Sequence, residues 1–565
     1  MAMMMPPPPV FQFLGCLLFR FACWGNDHPI VDTPLGQISG HYRSSYEGRK
    51  FSAFEGIPYA KPPIGELRFK EPQPTEAWEG VFQADKLHTC IQYNGLKDQI
   101  TGSEDCLYLN VYVPRSNPSE AESLDVIVNM HAGCYMAGSG HQYARPTHLM
   151  DRDVIFVTLN NRLSALGFLC PDDPDFSCNN GLKDQSLALK WVQDNIKSFG
   201  GNPNSVTLTG FSAGGSSVHY HYISPLSKGL FHRGFSYSGT ILNPWAYQEN
   251  PSEKFYTLAS LVGCDAKKGK HAVKYLVECL RTKSAYSIVE KYKLFEGLVN
   301  VFPIVPFGPH SEKGKKGAAV PDHPYRMLEE GRINDVPWIN SITSEESLFF
   351  TIGLIPYLKV VDKQWSHLMP HILDYNYTLS EEEKPLIAKK IRDVYLGKDK
   401  LTRDTFLKFS EIVSDRLFNV DSIKASKLQA KVAHSPVYDI YFSYKGEHSV
   451  TQDLYDNFKE ILGVTHGDDT RYAFVGFYDH ILSKSDVQMK DLYLDLFSSF
   501  TKTGIPKIAG VHWEPVSPYD EDEFKYLHIY SPKKIVMEKK NDLVPQKFWD
   551  SLPFKENENL VHTIK

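Results

Sequence analysis

One stretch, Val206-Thr-Leu-Thr-Gly210-Phe-Ser212-Ala-Gly214-Gly215, constrains the fold of this chain more than any other. A short apolar, β-branched run leads into Gly-x-Ser-x-Gly, and residues able to begin a helix follow. That order suits a sharp strand-to-helix turn. The glycines leave room for the chain to pass close by, and the Ser212 hydroxyl projects above the sheet edge. The helix behind it aims its N-terminus at developing negative charge. Similar apolar runs bounded by turn residues occur at 107–113, 126–130, 154–159, 206–209, 338–342 and 438–442. Helix-like stretches lie between them. At 182–199, Ala188, Trp191, Val192, Ile196 and Phe199 fall at helical spacing, with Lys183, Asp184, Lys190 and Asp194 elsewhere around the helix, and Gly200-Gly201-Asn202-Pro203 stops it. Strand and helix in alternation imply a largely parallel sheet with helices on both faces. The lysine clusters at 267–270 and 313–316 read as solvated loops.

A serine hydroxyl is a poor nucleophile at neutral pH and needs a base, itself oriented by an acid. On such a sheet the partners follow in the order serine, acid, histidine. After Ser212, one acid candidate follows an apolar strand, in Trp338-Ile-Asn-Ser-Ile-Thr-Ser-Glu345-Glu346. Chemistry alone does not choose between the two glutamates; strand alternation would send them to opposite sides. The best histidine is His466, in Gly463-Val-Thr-His466-Gly467-Asp468-Asp469, a glycine-flanked turn able to present an imidazole. Backbone N–H groups for an oxyanion are offered where Val126-Ile-Val-Asn-Met-His131-Ala132-Gly133-Cys134 runs from strand to turn, joined by Ala213.

Composition narrows the class. With 61 Lys and Arg against 67 Asp and Glu, the net charge of −6 leaves no basic excess for phosphates, so nucleic acid is not an expected partner. A hydrophobic content of 42% supports a large core. No apolar run is long enough for a membrane span. Length alone would divide 565 residues into about three or four domains. The absence of linkers or repeats, and a serine, acid and histidine that must meet, favour a single catalytic domain over 26–565. Residues 1–25 read as a leader: an apolar run from Val10 to Phe19 suits a secretory signal, although a basic start is missing and Arg20 interrupts. A disordered leader is the alternative. Beyond Cys16 and Cys23 of the leader and a lone Cys134, the cysteines form three local pairs. Disulfides are expected for Cys90/Cys106 and Cys264/Cys279; Cys170/Cys178 is left open between a bond and two thiols. None has zinc-ligand spacing, and no metal or other cofactor is expected.

Together these residues resemble the type-B carboxylesterase/cholinesterase family, with the α/β-hydrolase fold. Three further stretches carry the likeness: Phe54-Glu-Gly-Ile-Pro-Tyr-Ala-Lys-Pro-Pro through Arg68-Phe69; Ser103-Glu-Asp-Cys106-Leu-Tyr-Leu-Asn110; and Gly181-Leu-Lys-Asp184-Gln185. The resemblance implies a carboxylic ester hydrolase with Ser212 as nucleophile, Glu346 as acid and His466 as base. It implies Gly133, Cys134 and Ala213 as oxyanion donors and Trp245 in the acyl pocket. It further implies the disulfides Cys90–Cys106 and Cys264–Cys279, and structural ion pairs Arg68–Glu104 and Arg162–Asp184. The elbow most resembles insect secreted carboxylesterases, which act on xenobiotic, pheromone or lipid-like esters. The partner is then a small ester, the protein a secreted monomer or homodimer, and Asn376-Tyr-Thr378 a glycosylation sequon.

Two departures stand out. Ala132 and Cys134 replace small residues of the usual His-Gly-Gly-Gly or His-Gly-Gly-Ala turn, which could shift the turn or narrow the pocket. A juvenile hormone esterase-like enzyme is an alternative within the family, weakened because Phe211 stands where such esterases have Gln. The segment before Cys106 lacks the tryptophan with which cholinesterases hold quaternary ammonium. A catalytically weak cholinesterase-like adhesion protein is the reading from another class, supported only by the unusual turn.

Overall fold

The structure is a computed structural model that describes residues 28–94, 98–248, 250–265, 272–295, 305–455, 458–476, 481, 483–519, 523–541 and 543–554. The expected leader and the 267–270 lysines lie outside the described residues. Eleven strands among these form one sheet: β1 (His41–Ser44), β2 (Lys50–Pro58), β3 (Tyr108–Val113), β4 (Leu124–Met130), β5 (Val154–Leu159), β6 (Gly201–Phe211), β7 (Arg233–Tyr237), β8 (Trp338–Thr343), β9 (Val437–Phe442), β10 (Phe524–Ser531) and β11 (Lys534–Lys540). Their order across the sheet is β11-β10-β9-β8-β7-β6-β4-β5-β3-β2-β1. From β5 to β10 every neighbouring pair is parallel, and the two margins are antiparallel. All six of the apolar runs expected as strands are strands of this sheet.

The centre of the sheet is dry on both faces. Every residue of β5 and of β8 is buried, which is why both read as unbroken apolar runs instead of alternating ones. In β4, Val126, Val128 and Met130 join one core layer and Ile127 the other. The first layer packs on α1 (Asn180–Asn195) and α2 (Ala213–Ile223); α3 (Pro251–Leu261), α4 (Phe406–Ser414) and α5 (Val420–Val432) extend it. The second packs on α6 (Lys484–Thr503) through Tyr493, Leu494 and Phe497. The helix expected at 182–199 is α1 followed by a 3-10 turn at Ile196–Phe199, closed by Gly200 at φ 85°.

Two charged groups on α1 are not at the surface. Asp184 is fully buried and receives Arg162 through Nη2 and Nε at 2.6 and 2.8 Å. Lys183, also buried, pairs with Glu71 and Glu312 at 2.9 and 3.0 Å. Arg68 holds Glu104 through two bonds of 2.5 and 2.6 Å. The loop at 313–316 is also less solvated than expected. Lys315 turns inward, and its Nζ donates to the carbonyls of Asp173 and Phe176 at 2.8 and 3.0 Å. These carbonyls lie in the loop closed by Cys170–Cys178, one of three disulfides among the described residues, with Cys90–Cys106 and Cys264–Cys279. Among the described residues no helix is long and apolar enough to cross a membrane.

Candidate active site

Four adjacent parallel strands, β4, β6, β7 and β8, end at the same sheet edge, and the candidate residues stand just past those ends. Carboxyl ends of parallel strands where strand order reverses are where such sheets form crevices. Here the reversal falls at β4 and β5, inserted between β6 and β3.

Ser212 joins β6 to α2 at φ 60° and ψ −123°, a backbone region that L-residues rarely occupy. Holding it there costs about 1–3 kcal/mol, which the surrounding packing must supply. The packing is close. A Cβ on Gly214 would lie 2.1 Å from the Met130 carbonyl oxygen, and one on Gly210 would lie 2.3 Å from that of Gly214. Only hydrogen side chains let β4, β6 and α2 approach this far, which gives the Gly-x-Ser-x-Gly pattern its physical cause. The Ser212 N–H donates to the Tyr237 carbonyl at 2.8 Å, which fixes the turn to β7.

Glu345 and Glu346 do not lie in β8, as alternation along a strand would require, but in the turn that follows it. The turn separates them. Glu346 is fully buried; its Oε2 lies 2.7 Å from His466 Nδ1, while its Oε1 accepts from Ser238 Oγ at 2.6 Å and from the Thr343 N–H at 2.7 Å. Glu345 instead clamps the histidine loop. Its Oε2 accepts from the Val464 N–H at 2.7 Å, and its own N–H donates to the Val464 carbonyl at 3.0 Å. The same loop is closed by Asp468, whose Oδ2 accepts from the Thr465 N–H at 2.9 Å.

His466 sits among three phenyl rings: Phe211 at 4.4 Å, Phe418 at 4.6 Å and Phe349, stacked, at 4.8 Å between centroids. Phe211 immediately precedes Ser212, so its contact brings the serine turn against the imidazole. Trp245 stands behind Phe418 at 5.9 Å and donates its Nε1 hydrogen to the Leu417 carbonyl at 2.8 Å. Leu417 and Phe418 belong to a π-helical segment, Asp415–Asn419, that links α4 to α5. Such a one-residue excess in a helix re-aims side chains, and here it turns the Phe418 ring toward the histidine.

The turn after β4 is tightly closed. Gly133 adopts φ 118°, with Cys134 and Tyr135 both at φ 56°. The Gly133 carbonyl ties the turn by accepting from the N–H groups of Met136 and Ala137, each at 2.9 Å. Among the described residues nothing accepts from the N–H groups of Gly133, Cys134 or Ala213. Burial pushes the Cys134 thiol up to about 12, so it is neutral. Burial likewise lowers His131 to about 4, leaving a neutral imidazole whose Nδ1 lies 2.8 Å from the Ala132 carbonyl.

Sequence reasoning missed several members of this site. Ser238, at the end of β7 and followed by glycine, carries a strand-then-Ser-Gly signal that resembles the elbow itself. Phe349 and Phe418 carry no local signal, since each is one of 33 phenylalanines.

This sheet, with an elbow serine and a histidine–carboxylate pair at its carboxyl edge, defines an α/β-hydrolase. The family model described as the carboxylesterase family matches residues 27–549, and the chain belongs to that family. It is 40% identical to a carboxylic ester hydrolase of Bombus ignitus, covering 96% of this chain and 98% of that protein. It is 38% identical to venom carboxylesterase-6 of Apis mellifera, covering 97% and 98%. Among solved structures, juvenile hormone esterase from Manduca sexta with OTFP covalently attached superposes with a TM-score of 0.78 at 26% identity, over 93% of this chain and 99% of that one.

Proposed function

We propose that the chain hydrolyses carboxylic esters through an acyl-enzyme on Ser212. The observation that carries this is the 2.7 Å contact of His466 Nδ1 with a fully buried Glu346, beside a serine held at a strained elbow. His466 Nε2 takes the Ser212 proton as Oγ attacks the ester carbonyl and later gives a proton to the leaving alcohol. Water then repeats the cycle on the acyl group. Glu346 fixes the imidazole's tautomer and balances its charge; Ser238 and Thr343 in turn fix Glu346. The N–H groups of Gly133, Cys134 and Ala213 receive the oxyanion, a role supported by their having no acceptor among the described residues.

The phenyl rings around His466, with Trp245 behind them, favour esters with an apolar acyl or alcohol group of the xenobiotic, pheromone or lipid-like kind. The likeness to a juvenile hormone esterase structure supports a second reading within the same chemistry, a hormone-type ester. Three disulfides support function in an oxidising, extracellular setting. Asn376 is half exposed and available to a glycan there. A fluorophosphonate probe is expected to label wild-type protein at Ser212 and to leave Ser212→Ala unlabelled. Folded wild-type protein that stays unlabelled overturns the assignment.

A further inference from the structure

A second cavity, of about 60 Å³, lies apart from the serine turn. Its lining includes Ile241, Asn243, Pro244, Tyr247, Gln248 and Lys254. Trp245 does not line it, although its chain neighbour Pro244 does, and Phe418 does not line it either. The cavity therefore backs onto the aromatic wall beside His466 and does not open through it.

Lys254, on α3, is the group in this cavity that the ester chemistry leaves unused. Its Nζ donates to Gln248 Oε1, a neutral acceptor. Gln248 is itself held firmly. Its Nε2 donates to the Val305 carbonyl at 2.7 Å, its N–H donates to the Pro309 carbonyl at 2.8 Å, and its carbonyl lies 2.9 Å from His310 Nδ1. The Tyr377 ring lies 5.7 Å from Nζ. Among the described residues no carboxylate pairs with Lys254 within ion-pair distance. Two other lining charges are engaged elsewhere, Lys424 with Asp550 at 2.5 Å and Asp421 with Arg416 at 3.8 Å, while Asp374 shares the lining with Lys254 and acts on it at longer range.

A buried ammonium whose single bond is to an amide oxygen is poorly stabilised. Burial lowers Lys254 from 10.5 to about 8, against the opposing pull of Asp374 and Glu253. Besides the lining tyrosines, the remaining titratable side chains of the lining are Asp374 and His323, the latter from the loop before the Pro324–Glu329 helix. The amine is thus neutral in an appreciable fraction of molecules in mildly alkaline solution, with open space in front of it.

We propose that Lys254 is a second nucleophile, which takes an acyl group from small activated esters once and keeps it. The Nζ lone pair attacks the ester carbonyl carbon and a C–N bond forms. The C–O bond to the leaving group breaks, and the leaving alcohol or phenol departs with the proton that Nζ sheds. The product is a neutral amide, which removes the uncompensated buried charge. Unlike the Ser212 ester it does not turn over, because an amide resists water and no oriented base stands beside it.

The test treats full-length wild type and Ser212→Ala with 4-nitrophenyl acetate at mildly alkaline pH and follows acetyl-lysines by peptide mass spectrometry. Lys254 is expected to acetylate about tenfold faster than exposed lysines such as Lys313 and Lys400 in both proteins, with the advantage shrinking as pH rises past its lowered pKa toward that of ordinary lysines. Because Ser212→Ala is included, loss of the Ser212 assignment and loss of this one are distinguishable. Lys254→Arg should abolish that adduct and retain ester turnover. Should Lys254→Arg fail to fold, amine footprinting of wild type with trinitrobenzenesulfonate gives the same ranking. Acetylation of Lys254 no faster than of the exposed lysines, in folded protein, overturns the proposal.

Discussion

Cys134 departs from the usual residue pattern of its turn, yet the turn is closed by hydrogen bonds. An L-residue at φ 56° occupies a conformation that glycine takes freely. The turn persists because its two 2.9 Å bonds to the Gly133 carbonyl do not involve residue 134. What the substitution adds is a half-buried, neutral thiol beside the proposed oxyanion donors. Replacing Cys134 by glycine is expected to raise kcat/KM for long-acyl esters severalfold relative to acetyl esters, read from a nitrophenyl ester series. An unchanged ratio would show that the thiol does not narrow the pocket. At this scale the sequence was legible where chemistry demands a residue type at a fixed spacing, as at Ser212 and His466. The choice between Glu345 and Glu346 was not legible from the residues alone. It depends on a turn that sends one carboxylate to the histidine ring and the other to its backbone, and strand alternation was the wrong physical reason for the separation. Phe349 and Phe418 were hidden because ring contacts across long sequence separations leave no local trace.

Among the elements, the elbow depends on the approach of α2 to β4. The 2.1 Å gap between a would-be Cβ at Gly214 and the Met130 carbonyl leaves no room for even a methyl group. Gly214→Ala is expected to destabilise by about 2–4 kcal/mol or prevent folding. The check is the yield of soluble protein and its thermal midpoint beside Gly476→Ala, where nothing lies within 4 Å of the added atom and the backbone is not left-handed. Comparable midpoints for the two variants would refute the packing argument. The strands were legible because burial on both faces selects unbroken apolar runs. The π-helical segment at Asp415–Asn419 was not, since one extra residue in a helical turn barely alters apolar periodicity.

For the whole molecule, buried carboxylates set a pH dependence. Asp439 accepts from Asn340 at 3.0 Å and Ser426 at 2.9 Å, and burial raises it to about 8. Burial also raises Asp415 and Asp469 to about 7. Each group keeps its proton in the native state to a higher pH than in the unfolded chain. The native state therefore binds more protons between about pH 4 and pH 8, and stability from these groups falls as pH rises through that window. Asp439→Asn removes one such group. Its thermal midpoint is expected to fall less than that of wild type between pH 5 and pH 9, by an amount on the order of a few kcal/mol or less. Parallel calorimetric curves for the two proteins would count against the buried-acid account.

The site draws on the ends of four strands that the chain visits far apart in its length. The serine comes from β6, the carboxylate from the turn after β8, its support from β7 and the oxyanion turn from β4, while the histidine arrives on a loop after β9. No single element among the described residues carries two of the three proposed reacting groups. A nascent or half-folded molecule is therefore silent toward esters, however much helix and strand it has formed. Hydrolytic activity during refolding should appear with the last docking step and not with the first collapse, so that turnover reports on the completed sheet and nothing earlier.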